Sequence, residues 1–119
     1  LSTLHNTAYA GNLPKGWARI DMNTTGMPLR AGFNIASVTD HATGIARIAF
    51  VRGFSDGTAY AVTASPTTID ATVAADLRIC VVTSSRIGQL ANQVEVICEG
   101  GDAADVDVDE LNVVIFGLQ

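Results

Sequence analysis

Along this chain apolar and polar residues alternate in short runs, and clusters of Gly, Asn, Asp, Ser and Thr separate the runs. One-for-one alternation puts successive side chains on opposite faces of an extended strand, so it predicts half-buried β-strands. No stretch carries the three-and-four spacing that gives a helix a single apolar stripe. Residues 17–22 read as a first strand, with Ala18, Ile20 and Met22 on one face and Trp17, Arg19 and Asp21 on the other. A turn follows at residues 23–26. Residues 33–38 and 45–51 are expected to form a hairpin around residues 39–44. Phe33 and Ile35 share a face, as do Ile48 and Phe50. Burying all four pairs Ile35 with Ile48 and Phe33 with Phe50, because a one-residue slip turns one set to solvent. Such cross-strand pairs contribute roughly 0.2–1 kcal/mol each.

Further strands are predicted at residues 59–64 (ending before Pro66), 77–83, 94–99 and 111–116. The last is apolar almost throughout, which predicts a central strand covered on both faces. The expected architecture is all-β: an antiparallel sandwich or barrel-like domain over residues 15–119, preceded by a polar, extended N-terminal arm at residues 1–14. No internal repeat or linker divides the chain.

Composition sharpens this only in part. The 119 residues suffice for one domain, which buries roughly two-thirds of the surface its unfolded chain exposes. Residues are 48% hydrophobic and only 16% charged, below the usual quarter or so. Two explanations stand side by side: an apolar surface covered by a partner, or a small protein rich in Ala, Val and Thr. The net charge is −5, with six Arg and only Lys15 as lysine, and no basic stripe points to nucleic acid. No apolar run approaches the roughly 20 residues of a membrane helix, so membrane insertion is not expected. The first residues have neither the basic nor the apolar region of a signal peptide. The absence of an initiator Met reads as trimming or a fragment.

Candidate chemistry is sparse. If strands 77–83 and 94–99 pair with their apolar faces together, Leu77, Ile79 and Val81 lie with Val94, Val96 and Cys98. That puts Cys80 on the opposite face and predicts two buried free thiols in place of a disulfide, in keeping with a reducing cytoplasm. Asp105, Asp107 and Asp109 match the first, third and fifth positions of a calcium loop. The sixth position is Glu110 where the loop needs Gly, and the twelfth is Phe116 where it needs Glu. With Val106 and Val108 between them, these Asp residues predict the wet face of a strand. His41 beside Asp40 has no activated Ser context such as G-x-S-x-G, and there is no phosphate-binding loop. No catalytic residue, metal site or cofactor is expected. Trp17 is a candidate anchor for either the core or an interface.

The segments Gly16-Trp17-Ala18-Arg19-Ile20-Asp21 and Leu29-Arg30-Ala31-Gly32-Phe33-Asn34-Ile35-Ala36-Ser37-Val38-Thr39-Asp40 resemble a module recurrent in phage tail-fibre and virion-surface proteins. There a K-x-W strand precedes an R-x-s-F-N-v-s-s-i-T-D-n-G-T-G hairpin. Thr43-Gly44, the strand ending at Phe50, residues 56–62 and the closing residues 109–117 continue the likeness, which spans about residues 15–117. Two positions depart from it: His41-Ala42 stands where Asn-Gly is usual, and Ala46-Arg47 stands where the strand has an aromatic.

The resemblance implies a non-enzymatic homotrimer on the virion surface, assembled in the bacterial host cytoplasm. Because no shaft or heptad is present, the expectation is a capsid decoration, or cement, protein bound to the major capsid protein or another virion protein. The alternative is a tail-fibre tip that contacts a host surface receptor or glycan. Core or trimer-interface anchors are expected at Trp17, Phe33, Ile35, Ile48, Phe50, Tyr60 and Phe116. The arm, with Leu4, Tyr9 and Leu13, is the candidate capsid contact.

Overall fold

A computed structural model of the chain describes residues 13–67, 78–82, 88–100, 104–117 and 119. They build eight strands: β1 (Pro14–Asp21), β2 (Leu29–Phe33), β3 (Ile35–Ala42), β4 (Ile45–Phe50), β5 (Tyr60–Thr67), β6 (Arg78–Val82), β7 (Gln93–Gly100) and β8 (Glu110–Gly117). Every strand pairing is antiparallel. Two four-stranded sheets result, with orders β2-β1-β8-β5 and β3-β4-β7-β6. They pack face to face on one apolar core, the expected antiparallel sandwich. Among the described residues there is no helix.

Alternation sets the inner faces. β1 contributes Ala18 and Ile20, β8 contributes Leu111, Val113 and Ile115, and β7 contributes Val94, Val96 and Cys98, all buried. Met22 and Met27 reach into the same core from the β1–β2 turn. That turn is organised by Asp21, whose carboxylate accepts the N–H groups of Asn23 (2.9 Å) and Thr24 (3.1 Å) and the Thr24 hydroxyl (2.7 Å). One end of the core is aromatic. Phe54 stacks on Tyr60 with centroids 4.2 Å apart, and Phe50 meets both rings edge-on. The Tyr60 hydroxyl donates to the Leu90 carbonyl at 2.6 Å, so the polar tip of a buried ring finds a partner.

Asn34 carries the chain from one sheet to the other. Its φ of 62° lies in the left-handed region, which Asn tolerates better than most residues. The kink ends β2 at Phe33 and starts β3 at Ile35. It also overturns the expected hairpin register. Ile35 pairs with Phe50 and Val38 with Ile48, whereas Phe33 belongs to β2 and pairs with Trp17. Phe33 and Ile35 do not share a face because the left-handed residue between them resets the alternation. The β3–β4 turn is Thr43-Gly44, tighter than residues 39–44 suggested. At Gly44 (φ 73°) a Cβ would lie 2.6 Å from the Val106 nitrogen and 2.7 Å from the Cys98 carbonyl oxygen, so only glycine fits.

Three other expectations change. β5 runs through Pro66 to Thr67; as an edge strand of its sheet it tolerates a residue that cannot donate to the ladder. β8 is central, but only its inner face is fully buried; Asn112, Val114 and Phe116 are half-buried. Residues 106–108 are not a strand, although Val108 is buried and Asp105 and Asp107 are exposed.

The cysteines are also corrected. Cys80 pairs directly with Cys98, and the two form a disulfide. Both backbone groups of Cys98 are used on its other side, its N–H by the Gly44 carbonyl and its carbonyl by the Val106 N–H. The cysteines therefore occupy a non-hydrogen-bonded pair, where strands approach most closely, with Cα atoms 4.2 Å apart. β6 turns Cys80 and Val82 toward the core and leaves Ile79 and Val81 outside, the reverse of the expected face. Leu77 lies outside the described residues, as do residues 1–12 of the arm with Leu4 and Tyr9; Pro14, expected as the end of the arm, is the first residue of β1.

Candidate functional site: an exposed apolar sheet face

The outer face of the β2-β1-β8-β5 sheet is ordered in rows, because directly paired residues in adjacent strands share a face. One row runs Phe33, Trp17, Val114, Thr63 across all four strands. Trp17 is 40% exposed and Phe33 54%. The row beside it holds Pro14, Phe116 and Ala61. On the other side runs a row of Ala31, Arg19, Asn112 and Ser65, polar in its last three members. The site is thus an apolar band with a polar margin. A bulge between Pro14 and Gly16 places Lys15 at its end.

The margin is electrostatically organised. Asp21 and Glu110 stand directly opposite each other, an arrangement that is repulsive for two bare carboxylates. Each is held by its own arginine: Arg19 Nε donates to Glu110 at 2.6 Å, and Arg30 pairs with Asp21. The Thr24 hydroxyl, then the Arg30 guanidinium and the N–H groups of Asn23 and Thr24, hold the Asp21 carboxyl below its ordinary value, against the opposing effect of burial.

Phe33 also forms a wall of an open cleft of about 350 Å³, shared with Asn34, Val51, Arg52 and Gln119. Gln119 donates to the Arg52 carbonyl at 3.1 Å, and Val51 is strongly exposed.

The expected anchors divide by location. Trp17, Phe33 and Phe116 come together on this outer face. Ile48, Phe50 and Tyr60 are core residues, and Ile35 is partly buried against the core. Leu13, just before β1, is exposed. Sequence reasoning missed Val114 and Val51; the unbroken apolar run of β8 was the available signal for Val114, since one of its faces had to point outward. On the other sheet, Arg47 Nε donates to the buried Glu95 carboxylate at 2.7 Å, and Arg47 lies 3.3 Å from His41 Nε2. Among the described residues no three His, Cys, Asp or Glu side chains gather as a metal site. The acidic segment instead serves the backbone: the Asp107 carboxylate accepts the Gly44 N–H at 2.7 Å.

The fold is similar to part of a phage tailspike. A crystal structure of the phiAB6 tailspike, in complex with three-repeated oligosaccharides of Acinetobacter baumannii surface polysaccharide, matches 90% of this chain with a TM-score of 0.56. Sequence identity is 14%, and the match spans 20% of the tailspike chain. At that identity the likeness is one of fold. No family model and no curated protein matches the chain.

Proposed function

We propose that this chain is a non-enzymatic structural domain of a bacteriophage virion surface, self-associating as a homotrimer through the outer face of the β2-β1-β8-β5 sheet. The observation that carries the reading is the band of Trp17, Phe33, Val114 and Phe116 on a sheet face that nothing in the chain's described residues covers. Large aromatics dominate protein interfaces when buried there, and an exposed contiguous apolar patch marks an interaction surface. The tailspike likeness supports a place on the tail, as part of a spike or fibre at the host-facing surface. Capsid decoration, in which the major capsid protein is the partner, is the second reading. A second apolar patch at Ile79 and Val81 would give an assembled trimer a surface for the capsid lattice.

Labelled antibody imaged on intact particles tests the placement. Label at the tail end supports the tail reading, label repeating over the head supports decoration, and bare particles overturn both. Light scattering of the purified chain tests the assembly. The expected mass is three times the 12.4 kDa of the chain, falling to one chain mass in Trp17→Glu/Phe33→Glu. A wild-type protein that stays monomeric overturns the self-association.

A further inference from the structure

The Cys80–Cys98 disulfide joins a firmly fixed strand to a weakly held one. β6 is the edge strand of its sheet and pairs only with β7. It is short, with five residues. Cys80 and Val82 pack only partly against the core, and Ile79 and Val81 are exposed. None of these side chains belongs to the buried set that β1, β4, β7 and β8 build. Cys98 is the opposite. Its side chain is fully buried, with Sγ 3.9 Å from Met22 Sδ, and its N–H and carbonyl are bound to Gly44 and Val106. Because Cys80 and Cys98 are a non-hydrogen-bonded pair, the ladder bonds of β6 fall at the flanking pairs, Ile79 with Glu99 and Val81 with Ile97. The covalent bond sits between them, at the middle of the strand.

We infer that this disulfide is a redox-operated lock on β6: a dithiol reductant opens it in the folded protein, and β6 then detaches from β7 while the rest of the sandwich holds. The inference is independent of the self-association proposed above.

The chemistry is thiol–disulfide exchange. A thiolate of the reductant attacks the sulfur of Cys80, the partly exposed residue of the pair. The S–S bond breaks, and the Cys98 sulfur leaves with the electron pair and takes up a proton. The reductant's second thiolate then attacks the reductant sulfur of the mixed disulfide. This closes a cyclic disulfide and releases the Cys80 thiolate, which is protonated in turn. The protein gains two electrons and two protons, and the dithiol loses the same.

Two physical reasons make the opening local. Detaching β6 breaks only the flanking ladder bonds and uncovers two half-buried side chains, so the core set stays packed. While the bond is intact, Cys98 holds the centre of β6 in place, and a detached β6 gains little conformational freedom. Reduction restores that freedom. A reducing compartment therefore leaves β6 free to open, and an oxidising one pins it.

Native-state hydrogen exchange on the full chain, before and after dithiothreitol, tests the lock. The readout is the ratio of exchange rates between the Ile79 and Val81 amides and those of residues 111–115 in β8, a central strand. Loss of global stability on reduction speeds both sets alike, whereas release of β6 changes the ratio. The ratio is expected to rise at least ~10-fold on reduction, with β6 exchange nearly insensitive to low denaturant, because a local opening exposes little surface. Dithiothreitol is expected to leave the ratio unchanged in Cys80→Ala/Cys98→Ala. Reduction itself, followed by alkylation and mass, is expected to be first order in dithiothreitol and faster than global unfolding. The lock is overturned by a ratio that reduction does not change, by an equal change in the double-alanine variant, or by a reduction rate that equals the unfolding rate whatever the dithiothreitol concentration.

Discussion

The side-chain amide of Asn34 pairs with the backbone of Arg52 on both of its edges, the oxygen accepting the Arg52 N–H at 2.6 Å and the nitrogen donating to the Arg52 carbonyl at 2.9 Å. The same nitrogen also donates to the Lys15 carbonyl at 2.9 Å. One side chain therefore ties β1, the β2–β3 corner and the segment after β4 together. The two Arg52 contacts fix which end of the amide is oxygen.

Replacing Asn34 separates its two roles. Asn34→Ala loses three hydrogen bonds, each contributing about 1 kcal/mol, and puts a less tolerant residue at a left-handed position, at a further ~1 kcal/mol. Asn34→Gly loses the bonds but not the backbone freedom. Denaturant unfolding is expected to show Asn34→Ala destabilised by ~3–4 kcal/mol and Asn34→Gly by about 1 kcal/mol less. Equal losses would mean that the left-handed conformation contributes nothing.

The disulfide closes a loop between residues 18 apart, for which chain-entropy arguments give about 3 kcal/mol. Reductant is expected to lower the unfolding free energy of the wild type by about that much. The same treatment should leave Cys80→Ala/Cys98→Ala unchanged. Alkylation of both cysteines in denaturant without reductant would contradict the bridge.

Asp21 makes the turn after β1 sensitive to acid. Its carboxyl is held below the ordinary value of 3.8, chiefly by the Thr24 hydroxyl and, against the effect of burial, by Arg30 and two backbone N–H groups. The folded state thus favours the carboxylate. That stabilisation is present above about pH 4 and is lost as pH falls through the lowered folded-state value. Stability measured from pH 6 down to pH 2 should fall less steeply in Asp21→Asn than in the wild type. Parallel curves would remove Asp21 from the acid response.

Tyr60 acts at the other end of the scale. Burial pushes its phenol up to about 12 from an ordinary 10.0, against the hydrogen bond to Leu90. The folded state holds the proton more tightly than the unfolded chain, so this stabilisation is full below pH 10 and is lost as pH rises toward 12. Tyr60→Phe keeps the stacked ring and loses the hydroxyl bond. It is expected to cost about 1 kcal/mol at neutral pH and to flatten the alkaline decline. A decline of wild-type steepness in Tyr60→Phe would mean that another group governs it.

Much of the architecture was legible along the chain. The alternation of Ala18, Ile20 and Met22 with Trp17, Arg19 and Asp21 determined that an all-β, two-faced structure would form, because a period of two leaves a strand only two sets of side chains to sort. The same period identified Val94, Val96 and Cys98 as one buried set. It did not determine which set the tertiary structure would cover where both were apolar. In β6, Ile79 and Val81 are as apolar as Cys80 and Val82, and only pairing with β7, register Cys80 to Cys98, turned the second pair inward and allowed the disulfide. Nor does alternation survive a left-handed residue. The φ of Asn34 depends on partners at Lys15 and Arg52 that are distant in sequence, so the corner that sent Phe33 outward to Trp17 was decided by packing between sheets. The exposed face, and with it the candidate interface, belongs to that second level: periodicity says which side chains travel together, and only the assembled sheets decide which of them meet water.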